Sequence, residues 1–277
     1  MTLAPTVRLH SGAEMPAIGL GTWPLRGEEA ERAVESGIAL GYRHIDTAAK
    51  YENEDAVGRG IRASTVPRHE LFITTKLRGS DMAAGATRAA LERSLAELDT
   101  DYVDLYLIHW PLPRLGQFPT AFLAMAELAA EGRIRSIGVS NFQATHVARL
   151  IAETGLSPVV DQIECDPLIL RRELRARGIV SQAWSPLGRG GPLLSDPVVL
   201  GAADDAGCTP GQVILRWHRA NAIVPIVKSA SPERQAENLA AVAMPPLAPE
   251  LVALLDGLDP RDEGERGIRD SDTYEEF

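Results

Sequence analysis

The sequence has few cysteines and an excess of acidic over basic residues. Cys165 and Cys208 are the only cysteines in 277 residues and lie far apart, so neither a disulfide framework nor a cysteine-based zinc site is expected. Lys and Arg total 28 against 38 Asp and Glu, which gives a formal net charge of -10 at pH 7. Because nucleic acids and anionic membranes are bound by clustered basic residues, this balance disfavours both kinds of partner.

Long apolar runs are missing as well. No segment approaches the roughly 20 apolar residues of a membrane-spanning helix, and the first ten residues do not pair a basic start with an apolar stretch. We therefore expect a cytoplasmic protein, and a monomer is the expected state. The 45% hydrophobic content suffices for a substantial core, and a single domain over residues 1–277 is expected, with an acidic tail from about residue 259.

Short apolar runs recur along the chain and alternate with helical patterns. Eight runs are rich in β-branched or bulky residues and predict buried strands at residues 17–22, 43–46, 71–76, 103–109, 134–140, 159–163, 179–184 and 223–228. Between them, residues 82–98 and 118–131 place apolar side chains on one helical face. Eight such units predict a (β/α)8 TIM barrel. Residues 6–16, with Ser11 and Gly12 at the centre, predict a preceding β-hairpin that closes the bottom of the barrel.

A doubly wound open sheet is the alternative fold. It would carry a Gly-x-Gly-x-x-Gly motif after an early strand. Gly19 and Gly21 are present, but the third glycine is missing and Pro24 opposes an immediate helix. The barrel is therefore the expected fold.

Ionisable side chains stand at the ends of three predicted strands. Asp46, Lys76 and His109 each end a run, and Tyr51 follows Asp46 closely. In a TIM barrel the carboxyl ends of all strands surround one mouth, where catalytic groups lie. A carboxylate, an amine, an imidazole and a phenol are therefore expected to meet there.

Several long motifs, in order, cover nearly the whole chain. They are MPAIGLGTW at residues 15–23, DTDYVDLYLIHWP at 99–111, QAWSPLGRG at 182–190 and KSASPERQAEN at 228–238. With these motifs the chain resembles the aldo-keto reductase family, and its pattern is most similar to bacterial 2,5-diketogluconate reductases. The resemblance implies an NADPH-dependent oxidoreductase that reduces aldehydes or ketones to alcohols, with a small carbonyl compound as its substrate.

The resemblance implies a catalytic tetrad of Asp46, Tyr51, Lys76 and His109. Tyr51 would be the general acid, and an ammonium about 4 Å away could lower its pKa by at most about three units at an effective dielectric near 20. The Asp46 carboxylate would keep Lys76 charged. His109, as a neutral imidazole, would donate a hydrogen bond to the substrate carbonyl.

The resemblance also implies a cofactor shell that runs around the mouth. Ser140, Asn141 and Gln162 would hold the carboxamide, and Trp184 would stack on the nicotinamide ring, unless it is an ordinary core aromatic. Lys228, Ser229 and Arg234 would hold the 2′-phosphate at a helix N-terminus, which favours NADPH over NADH. The remaining predicted cofactor residues are Thr22, Trp23, Ser185, Leu187, Gly188, Glu237 and Asn238, and the predicted substrate-contacting residues are Trp23 and Trp110.

Two residues depart from the family pattern. Asp161 stands where asparagine is usual and adjoins Gln162, so it puts the carboxamide site in doubt; Asp166 stands where histidine is common.

Two rival functions stay open. One rival is a cofactor-binding, redox-sensing regulatory subunit with little turnover. A lyase or hydrolase would need a metal cluster or a carboxylate pair, which the sequence does not present. No metal site is expected, and His44, two residues before Asp46, is expected to be structural.

Overall fold

Eight parallel strands close into a barrel in this computed structural model, which describes residues 4–83, 85–167, 178–258, 270–274 and 276. In chain order the strands are β1 Thr6–Arg8, β2 Glu14–Pro16, β3 Gly19–Gly21, β4 His44–Asp46, β5 Phe72–Leu77, β6 Val103–Ile108, β7 Ile134–Ser140, β8 Val160–Glu164, β9 Val180–Trp184 and β10 Ile223–Val227. Strands β3 to β10 pair in sequence order, and β10 returns to β3. The TIM-barrel prediction is confirmed, and each barrel strand lies within two residues of its predicted bounds.

The helices of the described residues surround this barrel. They are α1 Gly27–Leu40, α2 Glu54–Ala63, α3 Ala86–Leu98, α4 Phe118–Ala130, α5 Ala144–Thr154, α6 Pro197–Asp205, α7 Pro210–Ala220, α8 Pro232–Ala243 and α9 Pro249–Asp256. The apolar faces predicted for α3 and α4 are buried: Leu91 and Leu95 on α3, Phe122 and Met125 on α4. Among the described helices, none has both the length and the apolar character needed to cross a membrane.

The predicted N-terminal hairpin is present and lies under the barrel. Strands β1 and β2 pair antiparallel, with Val7 opposite Met15. Met15 packs with Phe72, Val160 and Val224, which lie at the beginnings of their strands. The hairpin therefore closes the amino-terminal end of the barrel and leaves the opposite end open for chemistry. Residues 259–269 of the predicted acidic tail lie outside the described residues.

Candidate active site

Four ionisable side chains converge where strands β4 to β6 end. Asp46 is the last residue of β4, Lys76 lies one residue before the end of β5, and His109 follows β6. Tyr51 ends the short 3-10 helix Ala49–Tyr51 that follows β4. Asp46, Lys76 and His109 are buried, whereas the ring of Tyr51 is partly exposed. The structure thus brings together the four residues of the predicted tetrad.

Lys76 is the centre of this group. Its Nζ donates to Asp46 Oδ1 at 2.6 Å and to the carbonyl oxygen of Thr47 at 2.8 Å, and it lies 3.4 Å from the hydroxyl of Tyr51. Burial alone would lower the pKa of Lys76, but the Asp46 carboxylate and the Tyr51 oxygen outweigh burial and raise it. The Lys76 ammonium therefore keeps its charge at neutral pH. This is the effect that we expected from the Asp46 carboxylate.

The pKa of Tyr51 moves in the direction opposite to our expectation. Burial raises it, the Lys76 ammonium lowers it, and the Asp46 carboxylate raises it again, so the net pKa lies above 10.0. The expected net lowering is wrong, because loss of hydration penalises the phenolate more than the ammonium stabilises it. Tyr51 consequently carries its proton throughout the physiological pH range and can donate it.

Gln162 is part of the charge network rather than a free amide at the mouth. Its Nε2 donates to Asp46 Oδ2 at 2.7 Å and to Gln182 Oε1 at 2.9 Å. Both oxygens of Asp46 therefore have buried partners, one from Lys76 and one from Gln162. Gln182, which lies on β9, was not predicted from the sequence, although its alternation with Trp184 places both side chains on the same side of the strand.

Asn141 links His109 to Trp184. Its Nδ2 donates to the carbonyl oxygen of His109 at 3.0 Å and to Ser140 Oγ at 3.1 Å, and its Oδ1 accepts from Trp184 Nε1 at 2.9 Å. Ser140 Oγ in turn donates to the carbonyl oxygen of Gln162 at 2.7 Å. Asn141 has a φ of 62°, a strained value for a residue with a side chain and one that is concentrated at functional sites. The three residues predicted for the carboxamide site are therefore contiguous and mutually oriented.

The loop after β9 places Arg189 against Trp184. The guanidinium lies 4.7 Å from the centre of the indole ring, and Arg189 Nε donates to Ser185 Oγ at 3.1 Å. Ser185, with a φ of 53°, and Gly188, with a φ of 69°, turn the chain sharply here. Leu187 lies between them and is partly buried. Trp184 is partly exposed, so it is not an ordinary core aromatic.

The beginning of α8 presents an anion-binding arrangement. Ser231 caps this helix by accepting from the backbone N–H of Arg234 at 3.3 Å, and Pro232 is its first residue. Lys228 and Arg234, which precede and follow the start of α8 in the sequence, are exposed, and Ser229 Oγ hydrogen-bonds Ser231. Two cations at a helix N-terminus suit a phosphate group, so the donor set fits the predicted 2′-phosphate. Further along α8, Asn238 is buried and Glu237 accepts from Thr209 Oγ1 at 2.5 Å.

Two other predicted residues, Thr22 and Trp23, contact the tetrad, and a third, Trp110, follows His109 in the chain. Thr22 Oγ1 donates to the carbonyl oxygen of Asp46 at 3.1 Å. The ring of Trp23 lies 5.3 Å from that of Tyr51 and is 54% exposed, so it forms an open apolar wall beside the phenol. Trp110 is buried instead, with its ring 4.3 Å from that of Tyr274.

Glu276 is a site residue that we did not predict. Its Oε1 lies 2.6 Å from His109 Nδ1, and its Oε2 accepts from the backbone N–H of Gly79 at 2.9 Å. The tail also contacts the barrel at Asp272, whose carboxylate lies 2.9 Å from His146 Nε2, and at Tyr274. Nothing in the spacing of this short acidic segment predicts where it lies, so the sequence carries no signal for Glu276.

The two departures from the family pattern lie outside the tetrad. Asp161 is fully buried, and its Oδ1 accepts from the backbone N–H of Phe142 at 3.4 Å. Because neighbours on a strand point to opposite faces, its carboxylate is directed away from the side chain of Gln162. Asp166 is buried beside Gly188.

His44 has a structural environment. Its Nε2 lies 2.9 Å from Thr74 Oγ1, and burial lowers its pKa to about 4, so the ring is neutral at physiological pH. The described residues contain no group of three or more side chains that could hold a metal ion.

Comparison with known proteins agrees with this geometry. The model of the Aldo/keto reductase family matches residues 17–260. An aldo-keto reductase of Mycolicibacterium smegmatis is 50% identical over 240 residues, covering 85% of this chain and 87% of the relative. The methylglyoxal reductase DkgA of Escherichia coli is 47% identical over 240 residues, covering 84% and 86%. The crystal structure of a Gox0644 variant in complex with NADPH superposes with a TM-score of 0.92 at 38% identity, covering 99% of this chain and all of that one. The prediction made from the motifs is confirmed, and the chain belongs to the aldo-keto reductase family.

Proposed function

We propose that this protein is an NADPH-dependent reductase that converts a carbonyl compound to an alcohol, with Tyr51 as the general acid. The observation that carries the proposal is the buried chain from Gln162 through Asp46 and Lys76 to the hydroxyl of Tyr51. This chain positions a protonated phenol beside a charged ammonium at the open end of the barrel. Similarity to a protein whose structure contains NADPH supports the choice of cofactor.

The proposed reaction balances two electrons and one proton. The cofactor, when bound, supplies a hydride to the carbonyl carbon. Tyr51 gives its hydroxyl proton to the carbonyl oxygen, so that the C=O π bond is replaced by one C–H and one O–H bond. The phenolate that remains is stabilised by Lys76 Nζ at 3.4 Å, and Asp46 keeps that ammonium protonated. The phenolate then regains a proton from solvent.

The other site residues bind and orient. Asn141, fixed by His109 and Trp184, and Ser140 would hold the nicotinamide carboxamide, and Trp184 would support the ring. Gln162 Nε2 is used by Asp46 and Gln182, so its role includes orienting the carboxylate. Lys228 and Arg234 would bind the 2′-phosphate.

A small dicarbonyl compound is the substrate class we favour. One relative bears the name methylglyoxal reductase, and the apolar wall of Trp23 beside Tyr51 suits a compact substrate with a short apolar end. Keto sugars and aromatic aldehydes belong in the same test. Purified protein would be mixed with NADPH and methylglyoxal, a 2,5-diketo sugar acid or benzaldehyde, and the loss of absorbance of the reduced nicotinamide would be recorded.

The Tyr51→Phe variant provides the matched control. It keeps the ring beside Trp23 and removes only the hydroxyl, so we expect NADPH binding within about twofold of wild type and a loss of about a hundredfold or more in turnover, the scale of a removed general acid. Near-normal turnover in this variant would remove Tyr51 from the role of acid. Tight NADPH binding by the wild type without oxidation of NADPH by any carbonyl would instead favour the redox-sensing subunit.

A further inference from the structure

The His109 ring is contacted by two different parts of the chain. Glu276 Oε1 lies 2.6 Å from Nδ1, while the ring of Tyr51 lies 5.8 Å from the imidazole at an interplanar angle of 74°. Both Nδ1 and Oε1 are buried, and neither makes a hydrogen bond of regular geometry with any described residue, so this close ion-pair contact is the only polar contact of either atom among those residues. Each of these two polar atoms therefore depends on the other.

The second carboxylate oxygen and the charge of Glu276 show which of the two atoms, His109 Nδ1 or Glu276 Oε1, carries the proton. Oε2 accepts from the backbone N–H of Gly79 at 2.9 Å, so it is an acceptor. Burial would raise the pKa of Glu276, but the facing His109 and the Gly79 N–H outweigh burial and lower it, so Glu276 is ionised at neutral pH. A carboxylate without a proton can approach Nδ1 this closely only if Nδ1 carries a hydrogen.

We propose that Glu276 is a positioning residue for His109, whose Nδ1–H it accepts so that the Nε2 edge of the ring is directed to the carbonyl site. This inference rests on the function proposed above. It also changes the protonation state in which we expect His109 to contact the substrate carbonyl. When Nδ1 carries a hydrogen, Nε2 can donate to a carbonyl oxygen only in the doubly protonated ring, whose hydrogen bond to that oxygen is charge-assisted. The neutral ring presents a lone pair at Nε2, which suits the hydroxyl of an alcohol in the reverse reaction.

The barrel is shaped to admit this part of the tail. Gly79 lies just after β5, and a Cβ added to it would lie 3.0 Å from the carbonyl oxygen of Glu276 and would clash with Leu112 Cδ1. A glycine at this position therefore lets the tail backbone approach the barrel without moving Leu112 or the tail. The contacts of Asp272 with His146 and of Tyr274 with Trp110 hold the preceding residues against the barrel.

The titratable groups that face this pair come from several elements. Tyr51 faces the histidine from the 3-10 helix after β4, and Lys76 and Asp46 lie behind the phenol. The Lys50 ammonium acts on Glu276 from the same 3-10 helix. A substitution at Glu276 therefore also changes the charge that acts on the tetrad. The test must observe the protonation of the His109 ring directly.

The test compares Glu276→Gln with Asp272→Asn, a substitution that also converts a tail carboxylate to an amide but does not contact His109. In Glu276→Gln the Gly79 N–H holds the oxygen of the new amide, so the NH2 group of that amide would face Nδ1, and the ring proton should move to Nε2. Nitrogen-15 NMR of the histidines should therefore show a protonated Nδ1 for His109 in the wild type and in Asp272→Asn, and an unprotonated Nδ1 in Glu276→Gln. A bare Nδ1 in the wild type overturns the proposal.

Kinetics provide the second readout. We expect Glu276→Gln to lower kcat for carbonyl reduction by about tenfold, the scale of replacing a charge-assisted hydrogen bond, with NADPH affinity unchanged. In a His109→Gln background the same substitution should change kcat by less than about twofold, because a residue that acts through His109 has nothing left to position. Full additivity of the two losses, or an equal loss in Asp272→Asn, would contradict the proposal. If the wild type reduces no carbonyl, the proposed function fails, and the NMR result still decides the role of Glu276.

Discussion

Glu54 carries a buried carboxyl group whose ionisation should lower the stability of the fold. It is 2% exposed at the beginning of α2, and its two oxygens accept from Thr75 Oγ1 at 2.5 Å and Ser94 Oγ at 3.0 Å. Burial raises its pKa from 4.5 to about 7, and the two hydroxyl donors only partly offset this effect. Since Thr75 and Lys76 point to opposite faces of β5, this carboxyl lies outside the catalytic group.

The sign of the pH effect follows from proton counting. Between pH 4.5 and 7 the unfolded chain has already released the Glu54 proton while the folded protein retains it, so the free energy of unfolding falls as the pH rises. A pKa difference of about 2.5 units corresponds to about 3 kcal/mol, reached above pH 7. The Glu54→Gln variant keeps a polar group between the two hydroxyls and does not ionise. It should equal the wild type near pH 4.5 and exceed it by about 3 kcal/mol at pH 8.

Urea unfolding at several pH values between 4.5 and 8, followed by tryptophan fluorescence, measures this difference. Glu35→Gln, at an exposed position of α1, is the control and should leave the free energy of unfolding within about 0.5 kcal/mol of the wild type at every pH. Turnover should be unchanged in both variants. A stability gap between Glu54→Gln and the wild type that does not grow with pH would refute the reasoning, because the effect would then arise from packing rather than ionisation.

Two further substitutions test the charged groups of the site. Asp46→Asn should lower the free energy of unfolding by about 3 to 5 kcal/mol, because it leaves the buried ammonium of Lys76 without a carboxylate. It should also abolish most turnover. A free energy of unfolding near that of the wild type would mean that Lys76 is neutral. Arg234→Ala should weaken NADPH binding by about tenfold to a hundredfold and leave NADH binding nearly unchanged, whereas equal losses for both cofactors in a fluorescence titration would remove Arg234 from the phosphate site.

The fold and the tetrad were predictable because both depend on local patterns. Each barrel strand is a short apolar run, and parallel strands in a closed barrel must bring their carboxyl ends to one mouth, so Asp46, Lys76 and His109 could be placed together without coordinates. The hairpin was predictable for the same reason, since its turn lies between two short apolar pieces. In these cases the spacing along the chain determines the spacing in the fold.

Three features of the site were not predictable, and each depends on long-range packing. The pKa of Tyr51 depends on how completely the phenol is desolvated, and that effect exceeds the Coulombic effect of Lys76. The Nε2 of Gln162 is turned to Asp46 by a barrel closure that brings residues 116 positions apart into contact. Glu276 follows a segment with few apolar residues, which predicts a tail and says nothing of where the tail lies. Burial and contacts between distant residues therefore limit what spacing alone can establish.

The distribution of charge separates the chemistry from cofactor binding, and salt should distinguish the two. Lys76 is fully buried and paired with Asp46, whereas Lys228 and Arg234 are exposed at the N-terminus of α8. Salt screens exposed charges strongly and buried pairs weakly, with a Debye length of about 10 Å at 0.1 M and about 3 Å at 1 M. Raising the salt concentration over this range should weaken NADPH binding while leaving kcat at saturating NADPH within about twofold. Because Arg234→Ala removes one of the two screened cations, its NADPH affinity should depend less on salt than that of the wild type. A kcat that falls in parallel with affinity would show that the charges of the catalytic group are open to solvent, contrary to the burial of Lys76.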